Sequence, residues 1–146
     1  MLDLYNKTLS HSPNMQEQWF LLDASKITLG KLATLTSILL RGKLDLYYTP
    51  GVNNGNYVII INANQIQVTG NKKAKKLYWR HSGRPGGLTL ETFNELLDKK
   101  PERIIEKAVK GMLPKNSLGR AYFRRLKVYK DATHPFTEKN IEILKV

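Results

Sequence analysis

Four lysines fall within five residues at Lys72-Lys73-Ala74-Lys75-Lys76, directly after a Gly70-Asn71 turn. Such a loop can track phosphates, because each ammonium group near a phosphate releases condensed counterions and adds affinity without choosing sequence. A merely solvated loop is the competing reading, so this run carries little weight alone. Next comes Tyr78-Trp79-Arg80-His81-Ser82-Gly83-Arg84-Pro85-Gly86-Gly87. It joins planar rings able to stack on unpaired bases, guanidinium forks that fit phosphate, and a glycine pair that lets backbone N–H groups come close. Arg80, His81 and Arg84 are the candidate contacts. Tyr78 and Trp79 are left open between base stacking and the core.

A third constellation runs from Lys110 through Lys115 to Arg120, Arg124, Arg125 and Lys127, with no acidic residue between Glu106 and Asp131. On a helix from Ser117 to about Leu126, Arg120, Arg124 and Lys127 stand at i, i+4 and i+7 and share one face. Leu118, Tyr122 and Leu126 lie on another. Local salt bridges cannot absorb this charge, which favours a phosphate-facing helix. The alternative is a basic helix paired with acidic faces at Glu91, Glu95, Glu102 and Glu106.

Catalytic patterns are missing. The chain has no G-x-x-x-x-G-K-[ST] loop, no H-E-x-x-H and no G-x-S-x-G, the arrangements that cradle phosphates, bind zinc or expose a serine nucleophile. His81 beside Ser82 resembles part of a dyad, but neighbours in an extended segment point to opposite faces. Glu102 and Glu106, with Arg103 and Lys107 among their neighbours, read as an exposed salt-bridged face. With no cysteine and with His11, His81 and His134 far apart, neither a disulfide nor a metal site is expected. No cofactor and no small-molecule substrate are expected either.

The distribution of charge is more informative than any one motif. Residues 71–130 hold seventeen Lys and Arg against five Asp and Glu, whereas residues 1–70 hold five against four and residues 131–146 two against three. The net +12 of the chain therefore lies in one block. Charge serving solubility would be spread and interleaved, so confinement predicts a surface for a polyanion, with nucleic acid ahead of an anionic membrane. No apolar run approaches the roughly 18–20 residues of a membrane span, and the first residues suggest neither a signal peptide nor a transit peptide.

The elements that must position these groups read as one α/β domain. At 146 residues with 41% hydrophobic content, the chain can bury a core. Trp19 to Asp23 is a short apolar strand. Thr28 can cap a helix to about Arg41 with Leu29, Leu32, Ala33, Thr36, Leu39 and Leu40 on one face, stopped by Gly42. A turn-rich loop over 49–56 leads to a β-branched strand, Tyr57 to Ile61, and the three elements form a βαβ crossover with parallel strands. Ile66-Gln67-Val68 and Lys76 to Arg80 are candidate short strands. Thr89 to Asp98 is expected to be helical, with Leu90, Phe93 and Leu97 on its apolar face. Pro101 opens a helix whose buried stripe is Ile104, Ile105, Ala108, Val109 and Met112, closed by Gly111 and Pro114. After the basic helix a strand is expected at Lys127-Val128-Tyr129.

The run from Lys99-Lys100-Pro101-Glu102-Arg103 through Gly111-Met112-Leu113-Pro114 to Leu118-Gly119-Arg120 resembles the signature of the large-subunit ribosomal protein L-thirteen family, bacterial and plastid type. Thr28 to Ala33, Val58 to Ala63, Val68 to Lys72, His81-Ser82-Gly83, Pro85-Gly86-Gly87 and Leu126 to Tyr129 follow in the family's order, so the resemblance covers about residues 17–136. It implies a three-layer α/β/α domain around a small, mainly parallel sheet; the residues on either side are expected to form an irregular extension over 1–16 and a tail over 137–146. It also implies contacts to large-subunit rRNA and neighbouring ribosomal proteins, a role in assembly and translation, no cofactor and no enzymatic activity. Arg84 stands where the family has Tyr, and Asn56 where Asp is usual. Seventeen Lys against seven Arg, with eleven Asn, suit an AT-rich gene and favour a plastid stroma over a bacterial cytoplasm. Two other classes stand beside this reading: an enzyme acting on RNA, and a free RNA- or membrane-binding module.

Overall fold

A computed structural model describes residues 17–46, 48–53 and 55–144. The expected 1–16 extension lies outside them. The first strand, β1 (Trp19–Asp23), the helix α1 (Leu29–Leu40) and the second strand, β2 (Tyr57–Ile61), form where the apolar patterning places them. Thr28 occupies the N-cap position in an extended conformation. Gly42 takes a left-handed φ of 66° just beyond the helix, which a glycine accepts without strain. Trp19 pairs with Tyr57 and Asp23 with Ile61 in a parallel ladder, as two strands linked by a crossover helix require.

After β2 come a short helical turn, α2 (Lys72–Lys75), an antiparallel pair, β3 (Leu77–His81) and β4 (Leu88–Thr92), and α3 (Phe93–Lys99). Then follow α4 (Glu102–Met112), α5 (Ser117–Arg124), β5 (Leu126–Val128) and β6 (Ile141–Ile143). The main sheet has the order β5-β2-β1-β6, with every pairing parallel. The β3–β4 hairpin forms a separate sheet. A single α/β domain around a small parallel sheet is what these elements make.

One core cluster joins Phe20 and Leu22 of β1, Val58 and Ile60 of β2, and the apolar faces of α1, α3 and α4. Strand alternation sends Trp19, Tyr57 and Ile59 to the other face of the sheet. There Trp19 stacks on Tyr57 with ring centroids 4.3 Å apart and meets Phe136 at 5.1 Å. A right-handed return from β5 to β6 must cross the face opposite α1, and Phe136 puts the connecting segment there. The layer on that side is thus built partly from irregular chain.

Several expectations change. The segment expected to be one helix from Thr89 is strand as far as Thr92, whose side chain then caps α3 in a reciprocal box with Glu95. Leu90 consequently faces solvent. At Ile66 to Val68 the only pairing among the described residues is an isolated bridge between Thr28 and Gln67. Met112 is exposed at the end of α4, and Leu113 takes the buried position instead. The segment expected as a tail supplies β6, which pairs with β1. Asn56 is buried; its Oδ1 accepts from the Gln18 N–H and its amide nitrogen donates to Asp45 at 3.1 Å. A carboxylate at position 56 could not make that second bond.

Candidate nucleic-acid interface

The lysine run is a helical turn, not an open loop: the N–H groups of Lys75 and Lys76 donate to the carbonyls of Asn71 and Lys72. A turn of helix fans its side chains outward, and Lys72, Lys73, Lys75 and Lys76 are all exposed. Lys76 also reaches back, with its Nζ 5.5 Å from the centre of the Tyr78 ring, and Lys107 of α4 lies 5.1 Å from the same ring.

The hairpin resolves the two aromatics by strand alternation. Tyr78 turns inward and is 7% exposed, against Phe93, and burial raises its phenol pKa above the ordinary value. Trp79 points out and is 69% exposed, opposite Leu90 in the ladder. Leu77 and Leu88 are also exposed on this hairpin. Arg80 and Arg84 are exposed on β3 and in the turn. His81 holds the turn together, since its Nδ1 accepts from the Gly83 N–H at 2.9 Å. Ser82 engages Gly87 through its backbone N–H. The His81–Ser82 pair makes no dyad contact.

Between α4 and α5 the chain turns a tight corner. Asn116 caps α5, accepting from the Gly119 N–H at 2.8 Å. A Cβ at Gly119 would overlap the Pro114 carbonyl, so glycine is what lets the two helix ends approach. Tyr122 is buried on the inner side of α5 and donates to the Val52 carbonyl at 3.0 Å. Arg120 and Arg124, four residues apart, lie exposed on the outer side with Lys110 and Lys115 nearby in the chain.

Two members of the expected set separate from it. The helix ends at Arg124, so Lys127 sits half-buried on β5, in register with Ile59, and does not continue the Arg120–Arg124 face. Arg125 is turned inward, its guanidinium 3.0 Å from Glu17 and 5.3 Å above the Tyr57 ring. Sequence spacing could not reveal a partner more than a hundred positions away.

Among the described residues the ion pairs are Lys26–Asp23, Lys99–Glu91 and Arg125–Glu17. The acidic faces do not neutralise the basic corner. Glu95 is engaged in its cap, and Glu106 is half-buried, its carboxyl raised above its usual value by burial and by Glu102, with Arg103 opposing. This departs from the exposed salt-bridged face expected for Glu102 and Glu106. Phe123 and Lys107 are the residues that the sequence did not single out for the site, and Trp79, left open there, is placed outside the core; the alternation of Leu88 and Leu90 after a Gly-Gly turn was a usable hairpin signal.

Among the described residues no cluster of three His, Cys, Asp or Glu could hold a metal, and no helix is long and apolar enough to cross a membrane. Residues 17–135 match the profile of the family described as Ribosomal protein L13. A protein of Prochlorococcus marinus named Large ribosomal subunit protein uL13 is 53% identical over 97% of this chain and 95% of its own. Proteins of the same name from Acaryochloris marina and a Synechococcus species are 55% and 54% identical, each over 89% of this chain and 86% and 87% of their own. The match takes in β1, β2 and β5 of the sheet, the hairpin and the basic corner together: the chain belongs to the ribosomal protein L13 family.

Proposed function

We propose that the chain is a structural constituent of the large ribosomal subunit and holds large-subunit rRNA through residues 71–130. The observation that carries this reading is the set of exposed cations on α2, the hairpin and the α4–α5 corner, which no ion pair among the described residues neutralises. Lys72, Lys73, Lys75, Lys76, Arg80, Arg84, Lys110, Lys115, Arg120 and Arg124 are the proposed contacts. His81 shapes the turn that presents Arg84. Arg125 serves the fold. The protein is no enzyme: it works by neutralising and positioning RNA.

Neighbouring large-subunit proteins are proposed as further partners, supported by the apolar outer side of the hairpin. The cyanobacterial relatives and the Lys- and Asn-rich composition support a plastid stroma, with a bacterial cytoplasm as the alternative. Cosedimentation with large subunits through a high-salt wash tests the central reading. Retention in the subunit peak is expected. Recovery only in the free fraction would favour an RNA-modifying enzyme or a free binding module.

A further inference from the structure

An open cleft of about 700 Å³ lies at the α4–α5 corner. Its lining combines the apolar Leu113, Pro114 and Phe123 with Lys107 and Lys110 from α4 and Arg120 and Arg124 from α5. None of the lining residues is acidic. Lys110 Nζ lies 5.9 Å from the centre of the Phe123 ring. A second cavity, of about 330 Å³, shares Lys107, Lys110 and Phe123 but is lined by Glu91 and Glu106 as well. Carboxylates repel phosphate, so the larger cavity is the one fitted to an anion.

An apolar and aromatic lining set among cations, with no carboxylate, suits one nucleotide: a flat base against the ring and charged phosphates on the cations. Duplex RNA offers such a site phosphates, 2′-hydroxyls and the edges of bases in its minor groove, but no free base face, because its bases stay stacked. An unpaired nucleotide splayed from its strand offers both parts. The cations come from both helices, which suits a strand that passes from one to the other. A free nucleotide carries its phosphates at one end only.

We propose that this cavity receives one unpaired nucleotide of the rRNA, its base against Phe123 and its flanking phosphates on the cations of α4 and α5. The inference rests on the rRNA-binding reading and deepens it, by making the corner specific for single-stranded RNA. Full-length protein is titrated with a labelled oligoadenylate of about twelve nucleotides and with an RNA duplex of equal length, followed by fluorescence anisotropy.

Phe123→Leu keeps the apolar filling but removes the ring. It is expected to weaken single-strand binding about tenfold while leaving duplex binding within about twofold. Lys110→Gln with Arg120→Gln, which touches only exposed groups, reads the cations independently should Phe123→Leu fail to fold; it should lower single-strand affinity more than duplex affinity. Equal losses on both probes, no loss on either, or displacement of the oligonucleotide by adenosine monophosphate at equal concentration would each overturn the assignment. If any of these occurs while the wild type still cosediments with large subunits, the cavity assignment alone fails. Loss of cosedimentation by the wild type fails the broader reading.

Discussion

The βαβ unit of residues 17–61 and the basic block of residues 71–130 solve opposite problems. In the first, polar groups near the sheet find partners inside the molecule: Asp23 accepts from Ser25 and Asn62, and Asn56 bridges Gln18 and Asp45. In the second, part of the apolar set finds the core, through Tyr78, Phe93, Ile104, Ile105 and Val109, but most cations stand outside every ion pair among the described residues. A chain shaped for stability alone would interleave acids there. The contrast shows one region that specifies the fold and another that uses it, with Arg125 as a cation of the second recruited to the first through Glu17.

The sharpest way to break this division is in the core. Leu22 is fully buried on β1, and Leu22→Ala should cost about 2–5 kcal/mol of stability. At temperatures where it remains folded, the salt dependence of its RNA binding should match the wild type. Chemical denaturation and salt titration together check this, and a changed slope would mean that the two regions are coupled. The converse variant, Arg120→Glu with Arg124→Glu, should unfold within about ±0.5 kcal/mol of the wild type per exposed site. Its incorporation into large subunits should nevertheless fall about tenfold or more, since each reversal sets like charges together. Normal incorporation would falsify the placement of α5 against RNA.

A smaller effect is expected from α2. Replacing Lys72, Lys73, Lys75 and Lys76 with Gln should flatten the plot of log affinity against log salt by roughly 0.7–0.9 for each phosphate no longer neutralised. An unchanged slope would place this turn in solvent. The smallest effect concerns Asp23. Burial pushes its carboxyl upward, but hydrogen bonds from Asn62 and Ser25, with the Lys26 charge, outweigh it and bring the pKa below the ordinary 3.8. A carboxyl with a depressed folded-state pKa stabilises fully above its unfolded value and loses that contribution as pH falls through the folded one. Asp23→Ala should therefore cost about 1 kcal/mol at neutral pH, and the gap to the wild type should close as the pH is lowered below the usual carboxylate range. Thermal melts across pH measure it.

The strands at 19–23 and 57–61 and the helix from Leu29 were legible because each is specified locally, by a continuous apolar run or a 3.6-residue stripe. The hairpin was not. Leu90, Phe93 and Leu97 happen to fit a helical spacing, while the pairing of Trp79 with Leu90 is decided across a turn that periodicity does not see. Lys127 misled for a related reason: an i+7 spacing places it beside Arg120 only if the helix continues, and α5 ends at Arg124. The exposed cations were visible as a charge block. The apolar part of the cleft was not, because Phe123 acquires its role only when Pro114 and Gly119 close the corner.

The parallel pairing of β6 with β1 has a consequence for synthesis. The β1–α1–β2 unit is complete once residue 61 has been made, but one side of β1 stays open until residues 141–143 follow. At about 5–20 residues per second that interval is on the order of 4–16 s. An open strand edge is a template for other chains. The nascent chain therefore passes several seconds with an adhesive border unpaired, and pairing of β6 is the step that closes it.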